Sequence, residues 1–276
     1  MGIYKLHTLL GAGQTGEVWA AVGPDKGSVA LKLFPQEAVL QAREEYERAC
    51  LFSHRNLLRP LSFHEEKGIP YMVMPYCEGR SMDNLAGYFV DEKTCWKLLC
   101  DISSALMALQ EKGFCHGDVK PSNILWDGTV FLLADFGSCS PVGKAPVSED
   151  RSSYSYAAPE ITATEKSDVW SLAASVFNLI MESQVFNGLG GHGQHRCSPI
   201  PHLPKSKPAV LAQLLVQSLS FDPSERPTVR QIHELAEEQY AKCLSRVPER
   251  PVKKSHKEQL NDPFAHFWPD PMIEPL

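Results

Sequence analysis

The chain of 276 residues is 43% hydrophobic and 22% charged, a composition able to bury a core in one large domain or two modest lobes. A net charge of −6 argues against a protein that grips nucleic acid by bulk charge, so no nucleic-acid partner is expected. It holds no run of about 18 apolar residues and no basic start leading into an apolar core, so neither a membrane partner nor a signal peptide is expected. The expected location is cytoplasmic, with the nucleus as the alternative. The eight cysteines form no CxxC pair and show no zinc-site spacing. Several lie in apolar runs such as WKLLCDI, which reads as small buried thiols in a reducing compartment.

In chain order, IYKLHTLLGAG, EVWAAV, SVALKLF, LLRPLSF and IPYMVMPY read as strands punctuated by Gly and Pro. QEAVLQAREEYERACLF interrupts them as a helix, rich in helix formers and free of Gly and Pro. From about residue 91 the pattern turns helical. DEKTCWKLLCDISSALMALQEKG opens on Asp91 as N-cap, repeats apolar residues at helical spacing and stops at Gly113. Further helices are predicted over 167–181, 209–219 and 228–244. Residues 187–208, rich in Gly, Pro and His, read as irregular. Residues 247–276 carry a basic run, RPVKKSHK, which reads as a solvated linker, and then an aromatic, Pro-rich end.

Gly11, Gly13 and Gly16, with Val18, give G-x-G-x-x-G-x-V between two strand-like runs. Without side chains, the backbone can bring N–H groups up to phosphate oxygens. In a dinucleotide-binding fold the same spacing leads into a helix. Here the strand-like EVWAAV follows, so the loop reads as a hairpin flap over a nucleotide. Lys32 ends the apolar run VALK, where a lone ammonium is ordinarily a snorkelling surface lysine. Fourteen residues after Val18, it is also placed to reach the α- and β-phosphates. It needs a carboxylate to orient it. Glu44, Glu45 and Glu47 compete for that role, and Glu45 is preferred because it lies nine residues before His54 of SHRNLL. The densest chemistry is HGDVKPSNILW at 116–126, followed by ADFG at 134–137. Asp118 can accept or orient the proton of an attacking hydroxyl. Lys120 can steady a moving phosphoryl group, while Asn123 and Asp135 offer oxygens to Mg²⁺.

These residues resemble the catalytic core of the eukaryotic-type protein kinase family, in its serine/threonine form but with HGD where most members have HRD. The resemblance extends to AAPE (Ala158, Pro159, Glu160), SDVWSLA (167–173) and DPSERPT (222–228). It implies an α+β, two-lobed kinase fold, with a small β-rich N-lobe carrying one main helix and a larger, mainly helical C-lobe. The implied domain is 1–246, with the N-lobe at 1–74, the hinge at 75–79 and the C-lobe at 80–246, followed by the 247–276 tail. ATP would be bound by Gly11, Ala12, Gly13, Gln14, Thr15, Gly16, Val18, Ala30, Lys32, Met74, Pro75, Cys77 and Leu125. Val18, Ala30 and Leu125 would enclose the adenine, with Met74 as gatekeeper. Recognition at the hinge would use the Pro75 carbonyl and the Cys77 N–H. Asp118, Lys120, Lys32 and Glu45 would be the catalytic group, and Asn123 and Asp135 the ligands of Mg²⁺, with Mn²⁺ as the alternative. Glu160 would pair with Arg226, and Asp168 would brace the catalytic loop. Lys120 and Ser153 fit the serine/threonine-specific pattern, so a protein substrate with a Ser or Thr acceptor is expected.

Where this sequence departs from the family's pattern, further expectations follow. Gly117 replaces the arginine that in the family pairs with a phosphate on the activation segment. Phosphorylation of Ser152, Ser153, Ser155 or the nearby tyrosines is therefore not expected to switch the enzyme by that route. HGD also resembles small-molecule kinases of the aminoglycoside and choline type, but the APE and DVW segments favour a protein substrate. A pseudokinase scaffold is the other rival. The hydrophobic spine would contain Ala49 and Pro60 beside His116 and Phe136, and the small Ala49 is expected to leave the first helix loosely packed. The 182–208 region lacks an obvious amphipathic helix, and His192, His195, Cys197 and His202 read as exposed loop residues rather than a zinc site. A regulatory protein partner would use 187–208 or 247–276.

Overall fold

The computed structural model describes residues 3–13, 15–78, 81–85, 91–144, 151–160, 162–196 and 198–246. The hinge residue Gly79 and the 247–276 tail lie outside them. The first lobe is a five-stranded antiparallel sheet in the order β1-β2-β3-β5-β4. Its strands are β1 (Lys5–Gly13), β2 (Gly16–Val22), β3 (Ser28–Leu33), β4 (Ser62–Glu66) and β5 (Ile69–Pro75). Alternation decides which face is covered. Leu31, Val73, Tyr71 and Ala21 gather on one side, while Met72 packs with Phe34 and with Ala42 of α1 (Val39–Cys50) on the other.

The expected strand LLRPLSF is displaced. β4 begins only at Ser62, and the segment before it leaves the sheet for the second lobe. Leu57 bridges Leu133, the Leu58 N–H donates to the Leu133 carbonyl at 2.9 Å, and Asn56 Nδ2 donates to the Phe131 carbonyl at 2.9 Å. Pro60, which has no N–H, fits a segment that does not continue a ladder.

In the second lobe, α2 (Glu92–Gln110) is capped by Asp91, whose carboxylate accepts from the Thr94 N–H at 2.7 Å. Short antiparallel pairs follow: β6 (Phe114–Cys115) pairs with β9 (Ser140–Pro141), and β7 (Ile124–Trp126) with β8 (Phe131–Leu133). α3 (Glu165–Met181) and α5 (Val229–Ser245) each open on a capping box, Thr164 with Ser167 and Thr228 with Gln231. α4 (Ala209–Ser218) lies between them in sequence. Trp96, Ile102, Leu106 and Leu109 of α2 and Trp170 of α3 form the centre of the core. No helix of the described residues is long and apolar enough to cross a membrane.

The glycine-rich stretch after α3 is docked against the segment at 154–159. Short turns span Val185–Gly188 and Gly190–Gly193, and the Gly191 N–H donates to the Ala157 carbonyl at 2.8 Å. A Cβ on Gly191 would lie 2.2 Å from the Pro159 nitrogen, so only glycine allows this approach. The missing amphipathic helix is thus replaced by close backbone packing.

Candidate active site

The β1–β2 register pairs Gly11 with Val18, Ala12 with Glu17 and Gly13 with Gly16, the hairpin that the sequence predicts. Thr15 is exposed there, and Gln14 lies outside the described residues. A side chain at Gly11 or Gly13 would meet no protein atom within 4 Å, so the backbone there is open to a phosphate-sized group. On the neighbouring strands Val18 sits opposite Lys32, Ala30 opposite Met74, and Val29 opposite Pro75. Met74 from the first lobe and Leu125 from β7 pack against one apolar cluster that includes Cys77. Of the expected adenine-facing side chains, Met74 thus lies beside both Ala30 and the cluster on which Leu125 packs.

Lys32 is buried, and its Nζ lies 2.8 and 3.0 Å from the two carboxylate oxygens of Glu45. Of the three rival glutamates Glu45 alone points inward; Glu44 and Glu47 are exposed. The same ammonium is 3.3 Å from Asp135 Oδ1. Burial by itself would lower the Lys32 pKa, but Asp135 and Glu45 outweigh it and hold the ammonium charged. Burial pushes Glu45 up to about 7, with Asp135 adding to the shift and Lys32 opposing it. For Asp135, burial works upward, yet Lys32 and the Gly137 N–H together hold its carboxyl below the usual range.

The loop between β6 and β7 is anchored from beneath by α3. Asp168, fully buried, accepts from the His116 N–H at 2.7 Å and the Gly117 N–H at 2.9 Å. His116 Nδ1 accepts from the Asp118 N–H at 3.3 Å, which leaves Nε2 to donate to the Ala134 carbonyl at 3.1 Å. The loop then brings its half-buried and buried polar groups together. Asp118 Oδ2 is 2.9 Å from Lys120 Nζ and accepts from Asn123 Nδ2 at 2.9 Å. Asn123 also donates to the Asp118 carbonyl, so its amide oxygen is the atom left to meet a cation. Asp135 offers a carboxylate and Asn123 an amide oxygen, each a hard donor of the kind Mg²⁺ takes.

Asp135 carries a φ of +66°, and its Oδ1 accepts from the Gly137 N–H at 3.1 Å. The Phe136 ring turns inward, edge-on to His116 at 5.7 Å and stacked on Phe52 at 5.9 Å. Ala49 is buried in the same cluster as Phe52. α1 buries only Ala42, Glu45 and Ala49, in keeping with the light packing expected from the small Ala49. Arg48 of α1 adds a contact that the sequence reading did not anticipate. Its Nη1 donates to the carbonyls of Phe136 at 3.0 Å and Gly137 at 2.7 Å.

Residues 4–240 match the protein kinase domain family. The chain belongs to the protein kinase family. Among its relatives, an Aurora kinase of Schizosaccharomyces pombe is 28% identical over 252 residues, covering 84% of this chain and 70% of that protein. A probable serine/threonine-protein kinase of Encephalitozoon cuniculi is 30% identical over 194 residues, 66% of this chain and 36% of that protein. Human mitogen-activated protein kinase kinase kinase 7 is 30% identical over 184 residues, 58% of this chain and 30% of that protein. The chain thus aligns with about a third of the length of the last two.

Other residues singled out as kinase landmarks also meet. Arg226, whose side chain is fully buried, grips both oxygens of Glu160 at 2.7 and 2.8 Å and donates to the carbonyls of Ser220, Lys166 and Phe221. Gly117 has a φ of +77°, and a Cβ there would lie 2.9 Å from the Ser138 carbonyl oxygen. The loop at 116–118 therefore packs on Ser138 at the position where an arginine side chain would begin. The side chains of Ser152 and Ser153 lie outside the described residues, whereas Ser155 Oγ donates to the Gly188 carbonyl at 2.7 Å. His192, His195 and His202 are exposed, and Cys197 lies outside the described residues. The seven described cysteines are free, and burial pushes the thiols of Cys95, Cys115 and Cys139 up. Away from the site, Cys100, His233 and Glu237 bring their ligand-type atoms within 4.8 Å of one another. His233 Nδ1 faces the Cys100 carbonyl at 3.1 Å, and its Nε2 lies 3.5 Å from a Glu237 carboxylate oxygen one helical turn along α5.

Proposed function

We propose that the chain is an ATP-dependent serine/threonine protein kinase using Mg²⁺, active without phosphate on its activation segment. The observation that carries this reading is the position of Lys32, which touches Glu45 and Asp135 at once, at 2.8 and 3.3 Å. That contact joins the helix of the first lobe, the nucleotide-facing strand and the metal-binding loop. It supports a working enzyme over a pseudokinase scaffold. Lys32 holds the α- and β-phosphates of ATP, the β1–β2 hairpin covers them with backbone N–H groups, and Asn123 and Asp135 hold the metal. When bound, Mg²⁺ (or Mn²⁺) neutralises phosphate charge. Asp118 accepts the proton of the substrate Ser or Thr hydroxyl as that oxygen bonds to the γ-phosphorus and the bond to the ADP oxygen breaks. Lys120, 2.9 Å from Asp118, lies on the path of the transferred group. Independence from loop phosphate is supported by Gly117, which brings no guanidinium to the position just before Asp118.

The test incubates the purified chain with MgATP and a generic basic protein, beside Asp135→Asn. Phosphoserine or phosphothreonine from the wild type alone is the expected result. Equal labelling by the two proteins would overturn the enzyme in favour of a scaffold. Turnover with an aminoglycoside or choline but not with protein would move the substrate to small molecules. Phosphatase treatment should leave the rate unchanged; loss of activity through a loop site would refute the regulatory half.

A further inference from the structure

In this fold the first helix must be placed correctly for Lys32 and Glu45 to meet, and the metal-binding loop must be turned inward for Asp135 to join them. Gly117 supplies no side chain to tie the loop down, and the segment's own phosphate has no arginine there to grip. The backbone after Asp135 nevertheless makes definite contacts. Arg48, three residues after Glu45 and so on the same face of α1, donates from Nη1 to two successive carbonyls, Phe136 and Gly137. A guanidinium is always charged, and charge-assisted bonds to carbonyls are stronger than neutral ones. One turn of one helix thus presents Glu45 to Lys32 and Arg48 to the loop that carries Asp135. Beneath the same loop, Phe52 stacks on Phe136. Close packing at Gly137 leaves little slack: a Cβ there would meet Asp135 Oδ1 at 3.2 Å and Glu45 Oε2 at 3.6 Å.

We propose that Arg48 is a positioning residue that fixes the metal-binding loop to α1, so that this chain holds Asp135 at the nucleotide with a built-in guanidinium rather than a phosphate added later. The inference rests on the kinase reading for its effect on turnover, but its effect on the loop is independent of that reading. Arg48 touches neither nucleotide nor substrate. It acts through the Phe136 and Gly137 backbone on Asp135, and through α1 on Glu45.

Two measurements on the full chain test this. The first is amide hydrogen exchange without nucleotide, comparing wild type with Arg48→Met and Arg48→Lys. Arg48→Met should speed exchange at Gly137 and Cys139 by tenfold or more, on the order of the loss of a charged hydrogen bond, while the amides of His116 and Gly117, held by Asp168, stay unchanged. Arg48→Lys, which keeps one charged donor, should fall between. The second is ADP affinity by calorimetry with and without Mg²⁺. Arg48→Met should leave Mg²⁺-free ADP affinity within twofold of wild type and reduce the gain from Mg²⁺ by roughly tenfold. It should also lower kcat with little change in the KM for a peptide. Added guanidinium should partly restore kcat in Arg48→Ala. Unchanged exchange at Gly137 and Cys139 in Arg48→Met overturns the proposal, and so does equal loosening at His116 and Gly117, which marks general destabilisation. If exchange shifts as expected but the wild type gains no ADP affinity from Mg²⁺, the kinase reading fails and the tether stands.

Discussion

Two helices hold the two halves of the catalytic apparatus, and they do so by different means. α3 carries Asp168 beneath the catalytic loop and buries eleven of its seventeen residues, from Asp168 to Leu179. α1 carries Glu45 and Arg48 above the metal-binding loop and buries only Ala42, Glu45 and Ala49 of its twelve. Apolar burial, at about 25 cal/mol per Å², supplies much of what fixes α3, and the polar contacts around it add to that. α1 has little such burial, so its polar grips on Lys32 and on the loop carbonyls decide where it sits. The loop that carries Asp118 is therefore anchored by a deeply buried helix, and the loop that carries Asp135 by a few polar contacts of α1 and Lys32.

The contrast is broken most severely on the α3 side. Arg226→Ala removes a buried guanidinium and leaves Glu160 and three carbonyls without their partner. Breaking one side of a buried pair costs about 3–5 kcal/mol. Urea unfolding should show this loss, and a shift below about 1 kcal/mol would refute the structural weight given to α3 and its surroundings. Gly117→Ala should come next. It forces a side chain into a φ of +77° and to within 2.9 Å of the Ser138 carbonyl. A cost of about 1–3 kcal/mol is expected, with a lower kcat because Asp118 follows directly. An unchanged melting temperature would mean the loop can move away from Ser138 freely.

How far the sequence reveals this depends on the range of the interaction. Helices with caps and regular apolar spacing are read within a few residues: Asp91 caps α2, and α4 begins at Ala209 as predicted. The short run DVKPSN holds Asp118, Lys120 and Asn123 within six positions, so their meeting is visible before any fold is known. LLRPLSF misleads because its apolar pattern suits either a strand in the sheet or a bridge to Leu133, and only the tertiary partner chooses. Arg48 shows the same limit more sharply. Its spacing from Glu45 was legible as a shared helix face, but its acceptors are backbone carbonyls 88 and 89 residues away. Carbonyls belong to every residue, so no side-chain pattern marks them. Phe52 is a similar case, since its partner Phe136 lies in another motif altogether.

The smallest expected effect separates the two sides by pH alone. Glu160 resists acid: burial pushes its carboxyl up, but Arg226 outweighs burial and holds it below the usual range. Glu45 does not resist, being pushed up to about 7 chiefly by burial. A carboxyl raised from about 4.3 in the unfolded chain contributes stability that is fully present below that value and lost as pH rises through about 7. Pairing with Lys32 runs the other way, because the ion pair needs Glu45 charged. Activity should therefore fall as pH drops from 8 to 6, by roughly tenfold for a group titrating near 7, while this group's share of folding stability grows. The check is a pH profile of kcat for wild type beside Glu45→Gln, which should be less active throughout and lack the step near neutrality. If Glu45→Gln keeps the same acid limb, the titrating group is elsewhere, and α1 is held by more than the contacts of Glu45 and Arg48.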